Sequence, residues 1–469
     1  NNDKEDNGCC IYANIQNEII IEDTHFNENS GLLGESIYID PDFGNNDATS
    51  SISIIGCFFE QNKGKEKSSI YIAPGKTKTL NIESCKLTNN YGGVSITNVD
   101  NTINFNRNSF LNIFEKTALA IKSTSDSIKL TINKCIFDYC QGLNNKCFEI
   151  QASTLYFTFS NNIIQNNKGT GCDNYFGLVE WDDDSITLRL QNISFINNVC
   201  DSLYGGGIGL QFKGIQQLTF DECKFIENKA MQNTEKGRPT LGTGKLYYNG
   251  DGGAIQIGYS CELNNLHLLF QDCLFRNNYA HRHGGAIAIQ TTGIVKISRC
   301  VFENNQANYK SDTSSELLIE NHFDKKDEGR GGAIYINPTY VYDDETLGCK
   351  SPQTFMSQID IKNCNFINNN GFDGYGIYFE GDEPKSLKSV NIYQNDFVDN
   401  YNRNNDNENE NIIYGAVITT EVFVITEGQI NQDNNFTYSV SNLYVRNLSY
   451  VDHYGKTKTQ EFSQSNDFT

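Results

Sequence analysis

The chain has 469 residues, a formal net charge of −21 and only 38% hydrophobic residues, among them 29 Phe and 25 Tyr. A nucleic-acid-binding protein needs a basic surface to neutralise phosphates, and 37 basic against 58 acidic residues argue against that class. No apolar run approaches the roughly 18 residues of a membrane-spanning helix. We therefore expect an acidic protein with no nucleic-acid partner and no membrane span in this chain.

Residues 1–22 are predicted to form an N-terminal segment or cap, because a repeated unit begins directly after them. In this unit a large apolar residue is followed three positions later by asparagine. The Phe copies are Phe26/Asn29, Phe59/Asn62, Phe195/Asn198, Phe225/Asn228, Phe275/Asn278, Phe302/Asn305, Phe366/Asn369 and Phe397/Asn400. The variant copies are Leu87/Asn90 and Ile164/Asn167, with Phe110 and Phe137 lacking the asparagine.

A second repeated element opens with glycine and continues as an apolar strand. Its clearest copies are GGVSI from Gly92, GGAIQI from Gly252, GGAIAI from Gly284 and GGAIYI from Gly331. Successive apolar anchors, Leu87 and Ile164 included, lie mostly 23 to 33 residues apart, and the two longer gaps hold insertions near 232–251 and 309–357. Insertions in repeat proteins map to surface loops. Residues 23–400 are therefore expected to form one solenoid of twelve copies.

The repeat predicts a strand-built rung rather than a helical one. Its apolar residues alternate with polar ones in short runs, and no segment shows capped helical spacing. A rung of this length buries its apolar face only by stacking on its neighbours. The predicted fold is an all-β, right-handed, single-stranded parallel β-helix of about twelve rungs. A leucine-rich repeat is the alternative, since TLNIESCKLTNN from Thr79 resembles its pattern, but most copies carry Phe where that fold needs Leu.

After the repeats, residues 401–411 form a low-complexity stretch that predicts a loop. Residues 412–469 contain further strand-like runs and a polar tail, which predict terminal strands or a cap.

The paired GGAI and FxxN motifs resemble those of the chlamydial polymorphic outer membrane proteins and of related repeats in surface proteins of unicellular eukaryotes. The resemblance covers about Phe26 to Phe397. It implies a β-helical domain displayed outside the cell, with adhesion as the common activity. From the sequence we expect no counterpart of the membrane barrel that ends those bacterial proteins.

Fifteen cysteines point to an oxidising compartment, although none has zinc-like spacing. Seven of them occupy one repeat position and are expected to be reduced core thiols: Cys57, Cys85, Cys135, Cys223, Cys273, Cys300 and Cys364. Among the others, Cys140–Cys147 and Cys172–Cys200 are the first candidates for disulfides. Glycosylation sequons stand at Asn192, Asn435 and Asn447.

Candidate sites for chemistry are sparse in this sequence. Trp181 followed by Asp182, Asp183 and Asp184 is a weak candidate for binding a sugar, or for the acidic groove of a polysaccharide hydrolase or lyase. His281 and His283 lack the partners of a metal site, and no cofactor or metal is predicted. The primary hypothesis is a non-enzymatic extracellular or cell-surface scaffold that adheres or assembles, with other protein chains or extracellular glycans as partners. A polysaccharide-active β-helical enzyme is the alternative.

Overall fold

The computed structural model describes most of the repeat region and several short segments after it. The described residues are 10–15, 17–31, 36–41, 50–64, 68–75, 77–97, 101–122, 128–142, 146–151, 155–169, 173–177, 186–200, 205–211, 215–231, 240–241, 245–246, 250–258, 267–289, 293–307, 329–337, 357–371, 374–379, 387–400, 418–420, 435–437, 443–445, 448–451 and 457–460.

The chain comprises two compact units. Unit 1 contains Asn1–Asp201 and Ile208–Lys224, and unit 2 contains Ser202–Gly207 and Phe225–Thr469. Each unit is built from parallel strands that pair with the equivalent strand of the next rung. This architecture confirms the predicted all-β parallel β-helix, while the right-handed coil and the single continuous solenoid stay predictions.

Three parallel sheets run through unit 1. Sheet 1 contains Ile11–Ile15, Ile37–Pro41, Ile70–Ile72, Val94–Thr97, Leu119–Lys122, Lys146–Gln151, Asp173–Gly177 and Ile208–Gln211. Sheet 2 contains Glu18–Glu22, Ser50–Ile55, Thr77–Glu83, Asn101–Asn106, Ile128–Asn133, Leu155–Ser160, Ile186–Gln191 and Ile215–Asp221. Sheet 3 contains His25–Asn27, Phe58–Glu60, Lys86–Thr88, Ser109–Leu111, Ile136–Asp138, Ile163–Gln165 and Ser194–Ile196.

Unit 2 repeats the three-sheet rung. Its sheet 1 strands are Ile255–Gly258, Ile287–Ile289, Ile334–Ile336, Ile377–Phe379, Ile418–Thr420 and Leu443–Val445. Its sheet 2 strands are His267–Gln271, Ile294–Ser298, Ser357–Lys362 and Leu387–Tyr393. Its sheet 3 strands are Leu274–Arg276, Val301–Glu303, Asn365–Ile367, Asp396–Val398 and Asn435–Thr437, and Lys224–Ile226 contains the division between the units.

Shorter strands complete some rungs. The two-residue parallel strands are Ser30–Gly31, Lys63–Gly64, Phe114–Glu115, Gln141–Gly142, Lys168–Gly169, Val199–Cys200, Lys229–Ala230, Tyr279–Ala280 and Gln306–Ala307. Two antiparallel pairs lie within the predicted insertion and the terminal segment. They are Thr240–Leu241 with Lys245–Leu246, and Leu448–Val451 with Thr457–Gln460.

The repeat strands extend beyond residues 23–400 on both sides. Ile11–Ile15 pairs with Ile37–Pro41 in unit 1, and Ile418–Thr420 pairs with Ile377–Phe379 in unit 2. The segments predicted as terminal pieces therefore contribute rung strands of their own.

Stacked phenylalanines fill the interior of each unit. In unit 2 the rings of Phe225 and Phe275 lie 4.9 Å apart, and those of Phe275 and Phe302 lie 4.8 Å apart with an interplanar angle of 2°. All three side chains are fully buried. Stacking at one-rung intervals confirms that the Phe of the repeat supplies the shared core, because each ring is sheltered by the rings above and below it.

The glycine pair of the second motif lies where rungs approach closely. Gly284 has a φ of +65°, which disfavours residues with a Cβ atom. A Cβ on Gly285 would lie 2.0 Å from the carbonyl oxygen of Gly332. The pair is therefore required for the turn and for the contact with the next rung.

Candidate binding site

A polar groove crosses three consecutive rungs of unit 2, at the corner that follows sheet 3. It encloses about 380 Å³. Its outer rim carries the exposed residues Asn277, Asn304 and Asn368. Its wall is formed by Tyr279, Gln306 and Asn370.

The rim asparagines adopt the left-handed backbone conformation. The φ angles of Asn277, Asn304 and Asn368 are 55°, 55° and 52°. Asparagine tolerates this conformation better than most residues, which explains its frequency at the corner. Each residue of the row is one rung from the next, because Phe275 pairs with Phe302 and Phe302 pairs with Phe366.

The carboxamides of the rim are not used by the fold. Within the part of the chain that the structure describes, the side chains of Asn277, Asn304 and Asn368 make no hydrogen bond. Each carboxamide offers two N–H donors and an oxygen acceptor. The groove thus presents three equivalent hydrogen-bonding groups at a spacing of about 4.8 Å.

The same corner in unit 1 is used differently. There the side chain of Asn112 donates to Asn89 Oδ1 at 3.1 Å, and that of Asn197 donates to Asn166 Oδ1 at 3.0 Å. These exposed amides stabilise each other along the unit. The row in unit 2 therefore differs from its counterpart in having unengaged amides.

A buried asparagine ladder forms the rigid floor beneath the rim. Asn278 donates from its backbone N–H and its Nδ2 to Asn305 Oδ1, at 3.1 and 2.9 Å. Asn305 bonds in the same way to Asn369 Oδ1, at 3.1 and 3.0 Å. Because every member is satisfied by its neighbours, the floor fixes the spacing of the rim.

The wall of the groove is polar and carries little net charge. Tyr279 is half-buried, and burial raises the pKa of its hydroxyl, so the hydroxyl stays protonated at neutral pH. Gln306 and Asn370 are joined by a parallel bridge. Next to the rim, Arg276 Nε lies 2.7 Å from Glu303 Oε2. These two residues end the strands Leu274–Arg276 and Val301–Glu303, and their ion pair neutralises the only charged side chains of those strands.

A buried ionic cluster lies at another corner of unit 2, before the glycine pairs. Asp251 is fully buried and accepts two hydrogen bonds from the Arg282 guanidinium, at 3.0 and 3.1 Å. His283 stacks on Tyr335 at 4.5 Å, and its Nδ1 accepts the backbone N–H of Arg330 at 3.3 Å. Burial, followed by the charges of Arg282 and Arg330, holds the pKa of His283 well below its usual range. The pair of Asp251 and Arg282 and the stacked His283 therefore serve the stability of the fold.

A tyrosine ladder lies on the outer side of sheet 1 in unit 1. The rings of Tyr12 and Tyr38 stack at 5.2 Å, and those of Tyr38 and Tyr71 lie 5.2 Å apart. Burial and, after it, the charge of Asp40 raise the pKa of Tyr38. Because the rings cover one another's faces, this ladder stabilises the rungs rather than offering a stacking surface.

The predicted acidic site is not placed by the structure. Trp181, Asp182, Asp183 and Asp184 lie outside the described residues. Among the residues that are described, no group of three or more His, Cys, Asp or Glu side chains is arranged to hold a metal ion. The described segments also contain no helix long and apolar enough to cross a membrane.

The structure describes the asparagines of two of the three predicted glycosylation sequons. Asn192 is exposed at a corner with a φ of 51°, and its side chain donates to Asn161 Oδ1 at 2.9 Å. Asn435 begins a sheet 3 strand whose backbone pairs with Asp396. Asn447 lies outside the described residues. Glycosylation at these positions stays a prediction.

The first disulfide candidate requires correction. Cys140 and Cys147 are both buried free thiols, so the predicted bridge between them is not formed. The Cys140 thiol donates to the carbonyl of Phe110 at 3.6 Å. Burial and then a hydrogen bond with Cys140 raise the pKa of Cys147, which disfavours the reactive thiolate.

Cys200 of the second candidate pair is disulfide-bonded. Cys172 lies outside the described residues, so this pairing stays a prediction. The seven cysteines of the repeat position are buried and their thiols bond to protein groups, as Cys223 does to the Leu190 carbonyl at 3.4 Å. Asparagine replaces cysteine in this column at Asn108, Asn162 and Asn395, which the sequence analysis did not identify.

The groove itself was missed by the sequence analysis. The sequence analysis singled out the asparagine three positions after each apolar anchor and not the residue that precedes it. The signal lay in the order of the asparagine pairs 277–278, 304–305 and 368–369, because the first member of each of these pairs is exposed and the second is buried.

Comparison with known proteins matches part of the groove to a recognised repeat. Residues 272–290 and 299–337, which include Asn277 and Asn304, match the family model of the Chlamydia polymorphic membrane protein repeat. A metabotropic glutamate receptor-like protein R from Dictyostelium discoideum is 24% identical over 324 residues. The matched region is 63% of this chain and 18% of that protein, so the chain spans about a fifth of the relative's length. No solved structure matches the chain.

Proposed function

We propose that this chain is an extracellular, cell-surface β-helical scaffold that mediates adhesion by binding an extended glycan, without enzymatic activity. The repeat that it matches is named for a membrane protein, and the similar Dictyostelium protein is named as receptor-like. Both names support a location at the cell surface.

The row of unengaged amides in unit 2 is the observation that carries the proposal. Asn277, Asn304 and Asn368 present donors and acceptors that the fold does not use, above a floor that holds them at fixed spacing. Sugar hydroxyls both donate and accept hydrogen bonds, so carboxamides suit them. Regular spacing favours a ligand that is itself a repeating chain.

The spacing of the row favours a glycan over a peptide. An extended peptide advances by about 3.3 Å per residue, so its residues fall out of step with rungs about 4.8 Å apart. A sugar residue in an extended chain advances by close to one rung. The Tyr279 ring in the wall adds an apolar edge against which a sugar can pack.

Glycan-array binding by the intact chain tests the proposal, with reducing-sugar release measured on every glycan bound. We expect binding without release, and about fivefold or more weaker binding for Asn304→Gly, since one bond of this kind is worth about 1 kcal/mol or more. Glycine removes the amide but keeps the positive φ. Asn197→Gly in unit 1 is the matched control and should bind like the unsubstituted chain.

Four results would contradict the proposal. The chain could bind no glycan, or bind as well with Asn304→Gly as without it. Alternatively, release of reducing sugar would identify a polysaccharide-active enzyme. Capture of an extended peptide that competes at the groove would assign the site to protein partners instead.

A further inference from the structure

We infer that the groove selects a neutral glycan segment about three sugar residues long, and that carboxylates at its ends, Asp399 above all, reject anionic glycans. This inference rests on the proposed function and specifies its ligand.

The amide row is a run of three within a longer column of equivalent corners. Five consecutive rungs of unit 2 place a left-handed residue at this corner: Glu227, Asn277, Asn304, Asn368 and Asp399, with φ angles between 50° and 58°. The backbone repeats as well, because the N–H of each of the first four bonds to the next rung at 2.9 to 3.0 Å. Since the backbone is the same at each rung, only the side chain changes along the column.

The length of the site follows from this column. The row from Asn277 to Asn368 spans two rung spacings, about 10 Å. A ligand advancing by one sugar per rung places three sugars over three amides. A fourth sugar reaches Glu227 or Asp399, where a carboxylate replaces the amide and offers acceptors only.

The two ends differ in charge. Glu227 and Asp399 are both exposed, and within the described residues neither forms an ion pair. The exposed Lys229 follows Glu227 by two residues and carries a positive charge. Its strand, Lys229–Ala230, pairs with Tyr279–Ala280. Near Asp399, the exposed Asp396 adds a second negative charge. The Asp399 end is therefore the more negative one, and it repels the carboxylates of an anionic glycan.

Calorimetric titration of the intact chain with three neutral series tests the inference: cello-, manno- and chito-oligosaccharides from dimer to hexamer. For any series that binds, affinity should rise from dimer to trimer and level off thereafter. The C6-oxidised, anionic counterpart of a bound trimer should bind at least about fivefold more weakly at low salt. Added salt should reduce that difference.

Two variants test which carboxylate is responsible for rejecting the anionic glycan. Asp399→Asn should recover most of the binding of the oxidised trimer and leave the neutral trimer unchanged, whereas Glu227→Gln should recover less. Affinity that keeps rising to the hexamer, or oxidised and neutral trimers that bind equally, would overturn this inference while leaving glycan binding in place. Absence of binding by all three neutral series, together with an empty glycan array, would instead remove the proposed function.

Discussion

The side chain of Asn369 holds Asn305 through a single atom. Its Oδ1 accepts the backbone N–H of Asn305 at 3.1 Å and the Asn305 Nδ2 at 3.0 Å. The same Nδ2 also bonds the carbonyl of Phe275 at 3.0 Å. Each ladder residue thus joins three rungs of unit 2, and its loss affects the rung on either side.

Asn305→Ala should destabilise the chain by about 3 kcal/mol, because it removes these bonds and leaves the buried Asn278 donors without their acceptor. Denaturation by urea, followed by circular dichroism, measures the loss. Asn304→Gly is the control one residue away and should change the free energy of unfolding by less than about 1 kcal/mol. Equal losses for the two variants would contradict the ladder's role.

Asp251→Ala should cost about 3–5 kcal/mol, since it strands the Arg282 guanidinium without its buried partner. The matched variant is Asp272→Ala, which breaks the exposed pair with Arg299 and should cost at most about 1 kcal/mol. Thermal unfolding of both variants checks the difference. Similar melting temperatures would show that the Asp251 pair is as dispensable as a surface one.

Stability should fall as the pH drops below the ordinary histidine pKa, because of His283. Its folded-state pKa is lowered, so the unfolded chain takes up a proton there first, and acid favours unfolding. The slope contributed is up to about 1.4 kcal/mol per pH unit between the two pKa values. His283→Phe keeps a ring beside Tyr335 and should flatten the dependence of unfolding free energy on pH. Parallel curves for the chain and His283→Phe would refute this.

The thiols of Cys135 and Cys300, two members of the cysteine column, should resist alkylation in the folded chain. Burial raises the pKa of Cys135 to about 11 and that of Cys300 well above its usual value, so little thiolate exists at pH 8. Mass spectrometry after iodoacetamide treatment should find these residues unlabelled until guanidinium is added. Rapid labelling of Cys135 in the native chain would mean that this rung opens readily.

Tyr139→Asn should stabilise the chain by about 0.5–1 kcal/mol. Tyr139 is 50% exposed at a corner with a φ of 53°, a conformation that asparagine adopts more easily than an aromatic residue. Tyr12→Asn is the counterpart, since Tyr12 lies in a strand and stacks on Tyr38, and it should destabilise. A loss of stability in Tyr139→Asn would indicate that the ring itself has a role.

The rung was predictable from sequence because its requirements are local and repeated. Phe302 recurs at fixed spacing, and Gly284 and Gly285 mark a corner that side chains cannot fill. Which amides stay unengaged was not predictable, because Asn197 and Asn304 both have an asparagine at the same corner of an adjacent rung, yet only the Asn197 amide bonds to it.

The thiols are a second feature that could not be predicted from the sequence. Cys140 and Cys147 are close in sequence and in space, yet hydrogen bonding and burial keep them reduced in this structure. Sequence spacing reports proximity but not the direction in which each thiol points. Corner residues such as Arg299, with a φ of 53°, also escape prediction because the backbone bond to the next rung, and not residue type, holds them there.

The uniform backbone of the five-corner column has an evolutionary consequence. A rung receives and donates the same hydrogen bonds as its neighbours, so a gene duplication that inserts one whole repeat adds a turn without new partners having to arise. Each inserted copy bearing asparagine at the corner would lengthen the ligand site by one position, and a copy bearing a carboxylate would end it. The number of repeats, and the corner residue that each repeat encodes, would then determine how long a ligand the site accepts.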